Sequence, residues 1–216
     1  FFTLNSFGQM TVKDVERILN THNDKLDLMP EDWAEFAITD QYTDRRNGVT
    51  HIYIQQKHEG IDLIDGTIGI HLSPDGEVAH LTNHFFPHKN QIIRKPNKAL
   101  SADLALGQVV KHLNLPVQKF QILEERGGAE QKTVFAKGTL SYYDIPAKLV
   151  YQPLADGTLV LAWNIEVYTT DKKHYWVVKV DAENGKILGK HDLVITCTFE
   201  HPEHVHGKNC KHDHAD

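Results

Sequence analysis

The chain has 216 residues, 40% of them hydrophobic and 24% charged, with a formal charge of −6. That composition suits a globular chain with one large or two small cores. The acidic balance, without a Lys/Arg run, argues against a nucleic-acid partner, and no apolar stretch approaches the roughly 20 residues a membrane helix requires. The chain opens at Phe1-Phe2-Thr3 without an initiator Met. It reads as a piece of something longer, so the missing signal segment says nothing about export.

In chain order, Thr11 to Leu19 reads as a short helix, with Thr11 as cap, Asp14 at the third helical position, and Val12, Val15, Ile18 and Leu19 as its apolar stripe. From Trp33 to Phe86 the pattern changes to strands. Asn47-Gly48, Glu59-Gly60, Asp65-Gly66 and Pro74-Asp75-Gly76 punctuate the runs between them. The polar stretch PHKNQIIRKPNKA, with two prolines, is the linker candidate. Ser101 then caps a second helix, with Leu104, Leu106, Val109, Val110 and Leu113 on its apolar side and Pro116 beyond its end. Five strand-like segments follow, with turns at Asp156-Gly157 and Asn184-Gly185. In the last hairpin Trp176, Val178 and Val180 alternate with Tyr175, Val177 and Lys179, and Asp181 to Gly185 supplies the turn. Helix plus sheet, linker, helix plus sheet predicts an α+β fold of two small helix-plus-antiparallel-sheet domains. Their expected bounds are 1–88 and 101–196, with a linker at 89–100 and a His/Cys-rich tail at 197–216.

No catalytic motif emerges. His58-Glu59-Gly60-Ile61-Asp62 lacks the second histidine of a zinc-peptidase helix and sits between strands. No glycine-rich phosphate loop or Gly-x-Ser-x-Gly elbow is present. His51, His71, His80 and His84 alternate with apolar residues and read as solvent-facing or capping groups rather than ligands. Trp163, Trp176 and Tyr175 read as core or groove aromatics. The tail holds Cys197, His201, His204, His206, Cys210, His212 and His214, which are side chains suited to zinc, copper or nickel. Of these, His204, His206, Cys210, His212 and His214 are the candidate metal ligands. The bland alternative is a solvated tail, and Cys197 and Cys210 stay open among a local disulfide, a metal pair and free thiols.

Two stretches carry a resemblance. Residues 48–85 resemble the fungalysin/thermolysin propeptide motif, with Tyr53, Gln55, Gln56, Gly60, Ile61, Gly76 and Asn83 at the matching places. Residues 147–188 are similar to the PepSY module, whose Asp-Ala-x-x-Gly-x-Ile is here Asp181, Ala182, Gly185 and Ile187. The two, in this order and joined by the 101–113 helix, resemble the prodomain of fungalysin-type secreted zinc metallopeptidases, over roughly Phe36 to Asp192. Thr50-His51 and Ala162-Trp163-Asn164 lean toward fungalysin rather than thermolysin. The His/Cys tail departs from that pattern.

The resemblance implies a chain that is not itself an enzyme. It would inhibit and help fold a cognate metallopeptidase catalytic domain in cis, secreted or periplasmic, without membrane insertion. The zinc would belong to that catalytic domain, downstream of Asp216. The chain itself would require no cofactor, beyond zinc that the tail can hold adventitiously or functionally, or a tail ligand offered to the peptidase zinc. The alternatives are a free-standing extracytoplasmic module that binds a peptide or protease, and a metal-binding protein acting through its tail. The sequence specifies no oligomeric state.

Overall fold

The computed structural model describes residues 9–195. Helix α1 (Val12–Thr21) starts at a capping box: the Asp14 backbone N–H donates to Thr11 Oγ1, and the Thr11 N–H donates to the Asp14 carboxylate. Val15 and Leu19 are fully buried, but Val12 is 45% exposed and leaves the expected stripe. Helical side chains lean toward the N-terminus, so a first-turn residue projects past the covered part of the helix. A short helix α2 (Asn23–Leu26) and a single 3-10 turn at Pro30–Asp32 lead into the first sheet.

That sheet is an antiparallel meander of β1 (Phe36–Thr43), β2 (Thr50–His58), β3 (Ile61–Leu72) and β4 (Val78–Asn83). Ile52 and Ile54 of β2 and Ile68, Ile70 and Leu72 of β3 point inward. They pack with Val15, Leu19, Leu26, Leu28, Trp33 and Phe85. Glu59 and Gly60, both at positive φ, close the two-residue turn between β2 and β3. Asp65-Gly66 does not break a strand as expected, because β3 runs through it with a bulge opposite Gln55 to Lys57.

Residues 89–100 contain a one-turn helix α3 (Lys89–Ile92) and strand β5 (Ile93–Arg94), which lies parallel to a later strand. Helix α4 (Ala102–His112) then buries Ala102, Ala105, Leu106, Val109 and Val110. Two expectations fail here. Ser101 has the extended backbone of a cap but its side chain makes no capping bond. Leu104 is 55% exposed, because it lies about 200° around the helix from Leu106.

The second antiparallel array comprises β6 (Ile122–Glu125), β7 (Thr133–Phe135), β8 (Ile145–Pro153), β9 (Leu159–Tyr168), β10 (Tyr175–Asp181) and β11 (Ile187–Asp192). Its inner face packs Ile145, Ala147, Leu149, Trp163, Ile165, Val167, Val178 and Val180 against α4. One parallel bridge, Leu63 to Tyr151, joins β3 to β8 and makes all eleven described strands one sheet. The fold is α+β. Ile61, Leu63, Tyr151 and Leu159, with Phe86, Ile92 and Ile93 packed on them, form a third, smaller apolar cluster along that seam.

Candidate functional site

The motif residues of the first sheet are occupied with holding it together. Gln56 is fully buried: its Nε2 donates to the carbonyls of Asp32 (2.9 Å) and Phe86 (3.0 Å), and its Oε1 accepts from the Phe86 N–H (2.8 Å). It thus ties the entry and exit of the sheet together. Gln55 Nε2 donates to the carbonyls of Leu63 and Gly66, which stitches the β3 bulge closed. A side chain at Gly66 would meet Gln56 Oε1 at 2.9 Å. Asn83 bridges the Leu26 carbonyl and the Phe85 N–H, both at 2.9 Å. Tyr53 stands apart on the outer face, stacked near Tyr42 and edge-on to His71.

The second set does the same work. Trp163, buried, donates its indole N–H to the Leu100 carbonyl at 2.9 Å and so anchors the approach to α4. Buried Asp181 accepts from the N–H groups of Glu183 (2.8 Å) and Asn184 (3.2 Å), fixing the turn that Gly185 completes at φ 74°. A Cβ on Gly185 would lie 3.2 Å from Gln108 and 3.3 Å from Leu100, so a larger residue would crowd these side chains as well as strain the positive φ.

Charged groups line the seam. Asp62 accepts from Lys57 (2.6 Å) and Lys148 (2.7 Å), and Glu130 pairs with Lys148 (3.2 Å) and Lys132 (2.8 Å). Burial pushes the Asp62 carboxyl up, but the ammonium groups of Lys148 and Lys57 outweigh it and hold the pKa below the ordinary value. Lys89, buried, donates Nζ to the carbonyls of Lys57 and Asp32, and burial lowers its pKa. His58 meets Tyr151 edge-on, and burial lowers its pKa as well. Gly60 comes so close to the second sheet that a Cβ would lie 3.2 Å from Ala129. The turn signal at Glu59-Gly60 places Lys57 and Asp62 opposite each other in the hairpin. Nothing local in the sequence points to Lys148, on β8, or to Glu130, in the connection between β6 and β7.

The outer faces hold the remaining polar clusters. On the first sheet, His51, His71 and His80 line up beside Tyr42 and Tyr53. On the second, a cavity of about 210 Å³ opens among Arg126, Lys132, Pro146, Lys148, Asn164 and Glu166. Lys179 binds Asn164 Oδ1 beside it, and burial lowers the lysine pKa. Tyr175 donates to Glu166 at 2.7 Å, a bond that pushes its pKa up to about 12.

Among the described residues, no three His, Cys, Asp or Glu side chains are placed to hold a metal ion, and no helix is long and apolar enough to cross a membrane. Cys197, His204, His206, Cys210, His212 and His214 lie outside the described residues. The candidate residues are therefore not gathered in one place. Tyr53, Gln55, Gln56, Gly60 and Asn83 serve the first sheet, Trp163, Asp181 and Gly185 the second, and Gly60 comes close across the seam to Ala129.

Residues 34–85 match the Fungalysin/Thermolysin Propeptide Motif, and residues 123–191 match the Peptidase propeptide and YPEB domain. The extracellular metalloproteinase mep of Aspergillus niger is 29% identical over 169 residues, covering 77% of this chain and 26% of that protein. Extracellular metalloproteinase 3 of Arthroderma gypseum is 32% identical over 171 residues, covering 74% of this chain and 25% of that protein. The chain thus spans about a quarter of the length of the curated relatives it matches. Among solved structures, the Bacillus megaterium YpeB C-terminal domain aligns with 89% of this chain and 70% of its own, at 12% identity and a TM-score of 0.39. Two propeptide modules in this order, with extracellular metalloproteinases as relatives over about three quarters of the sequence, identify the chain as a propeptide region of the fungalysin type.

Proposed function

We propose that the chain is the non-catalytic prodomain of an exported zinc metalloendopeptidase, which it keeps inactive in cis and helps to fold. Its two units, 1–88 and 101–196, joined through 89–100 and followed by the tail 197–216, act as a lid over a zinc site supplied by the catalytic domain. The observation that carries this reading is the pairing of the two propeptide modules in one chain. The engagement of their motif side chains in internal bonds supports it: Gln55, Gln56, Asn83, Trp163 and Asp181 build the lid. That leaves the faces and edges of the sheet for contact.

The physics asks little of each contact. A tethered lid meets its partner at an effective concentration near millimolar, so even modest affinity keeps a cleft closed. Among the described residues, strands β1 and β11 end the sheet path, and each pairs on one side only. A free strand edge can take up an extended segment of a partner through main-chain hydrogen bonds. Severing the tether and then digesting the lid would release the enzyme.

The test is titration of the purified chain into its cognate mature peptidase, followed by peptidase activity. Saturable inhibition at near-stoichiometric ratio is the expected result. A peptidase that keeps full activity and never associates with the chain overturns the reading. The cavity beside Lys148, Asn164 and Glu166 favours one second reading, a free-standing module that holds a peptide against its sheet. A reading frame that continues into a His-Glu-x-x-His helix supports the prodomain; a stop codon at Asp216 supports the free module.

A further inference from the structure

His51, His71 and His80 occupy directly opposed positions on the three adjacent strands β2, β3 and β4. The Nδ1 atoms of His51 and His71 are 2.7 Å apart. The rings of His51 and His71 meet edge-on at 4.8 Å, and His71 stacks on His80 at 5.8 Å. Tyr42 of β1 stacks on His51 at 4.8 Å, and Tyr53 of β2 stands edge-on to His71 at 6.1 Å. Gly69 makes room for this: a Cβ there would lie 2.7 Å from Thr82 Oγ1 and 3.5 Å from both His71 and Tyr53. The rings form a ladder across the outer face, perpendicular to the strands.

Such a ladder depends on its protons. One of the two bonded Nδ1 atoms must donate and the other accept, whereas a doubly protonated imidazole only donates. The pair can hold one extra proton and keep its bond. A second proton removes the acceptor and sets two cations ring against ring, with His80 as a third next to them. Other charges do little to relieve this. Among the described residues, no carboxylate forms an ion pair with these three histidines; the two histidine pairs found are His58 with Glu59 and His174 with Asp192. From β1 and the turn after it, Asp40 and Asp44 reach electrostatically to Tyr42. Burial, then the charges of His51 and His80, hold the His71 pKa below its ordinary value.

We propose that the His51–His71–His80 ladder is an acid-sensitive latch: neutral, it clamps β2, β3 and β4 across their outer face; protonated, it loosens the first sheet and leaves the second intact. The sign follows from linkage. Unfolded histidines take up protons near pH 6.5, and in the folded ladder burial and the flanking rings oppose that uptake at His71. Its contribution is full above that value and is lost as the pH falls through it and below. Among the described residues the second sheet has no such run of rings, and its His174 sits 2.6 Å from the Asp192 carboxylate. The latch is a property of the chain alone. If the prodomain reading holds, acid would weaken that half of the lid first.

Amide hydrogen exchange on the whole chain at about pH 7.5 and about pH 5, corrected for intrinsic rates, reads the latch directly. On acidification, β2–β4 protection should fall by roughly tenfold, below the limit of about thirtyfold for one proton that the unfolded chain binds at pH 5 and the folded ladder excludes. Protection of α4 and β8–β10 should hold. His71→Gln should abolish most of that loss. His58→Gln should remove only its own smaller share and keep most of it, because His58 lies at the seam, outside the run of His51, His71 and His80. If His71→Gln does not fold, His80→Gln with an NMR titration of the wild-type imidazoles decides. Independent titration of all three rings at the ordinary value overturns the proposal, as does equal acid loss in wild type and variant. Inhibition assays separate the two readings. No inhibition at any pH sinks the prodomain and leaves the exchange result standing, whereas inhibition with the same acid dependence in His71→Gln sinks the latch alone.

Discussion

The first sheet buries Ile52, Ile54, Ile68 and Ile70 under α1, and the second buries Ile145, Leu149, Trp163 and Ile165 under α4. On the opposite faces this likeness ends. The first sheet shows water a run of imidazole and phenol rings, and the second shows lysines, a glutamate and a tyrosine. Between them lies the ion-paired seam of Asp62, Lys148 and Glu130. Cores of the same design therefore carry three different sets of ionisable groups: imidazoles and phenols on the first face, paired carboxylates and lysines with His58 at the seam, and lysines, a glutamate and a tyrosine on the second face.

The strongest way to break this comparison is through the second core. Trp163→Ala removes a buried indole and its bond to Leu100 and should cost about 4 kcal/mol. Chemical denaturation measures the loss, and hydrogen exchange shows whether the first sheet goes with it. Protection of β2–β4 that survives in this variant establishes two cooperative units; simultaneous loss establishes one. Gln56→Leu comes next. It strands the Phe86 N–H and carbonyl, leaves the Asp32 carbonyl to Lys89 alone, and should cost about 3 kcal/mol, confined at first to the first sheet. The same two measurements check it.

Asp62→Asn tests the seam at smaller cost, about 1–2 kcal/mol near neutral pH. The pH dependence gives its signature. A carboxylate whose folded pKa is depressed contributes stability above its ordinary value of 3.8, and that stability is lost as the pH falls through the lower folded value. Wild type and variant should therefore differ near neutrality and converge in strong acid. A constant difference across that range would mean that packing, rather than the charges of Lys57 and Lys148, holds the seam.

Local signals made much of this fold legible. The Thr11–Asp14 capping box, the Glu59-Gly60 turn and the alternation of Trp176, Val178 and Val180 all depend on neighbours within a few residues. Strand β6 was missed because Ile122 to Glu125 are all exposed, leaving no buried face to alternate. The linker composition of 89–100 hid α3 and β5, since Lys89 is buried through bonds to Asp32 and Lys57, far off in the chain. The candidate site divides the same way. Motif positions such as Gln56 and Asp181 could be named from sequence, but their work as internal staples could not. His51 and His71 face each other only because a bulge in β3 sets the register, so alternation alone reads them as separate surface groups.

Leu104 gives the smallest and cleanest expectation. Five apolar residues along one helix invite a single apolar stripe, yet a helix against one sheet face covers little more than a third of its circumference. Ala102, Ala105, Leu106, Val109 and Val110 fill that arc, and Leu104 is left outside it. Leucine and glutamine have nearly equal helix propensities, so Leu104→Gln should change stability by less than about 0.5 kcal/mol, where Leu106→Ala should cost about 3. Urea denaturation of the isolated chain compares the two. A large loss at Leu104 would mean that something covers this face of α4 in solution, and light scattering on the same sample would tell a second copy of the chain from an internal contact.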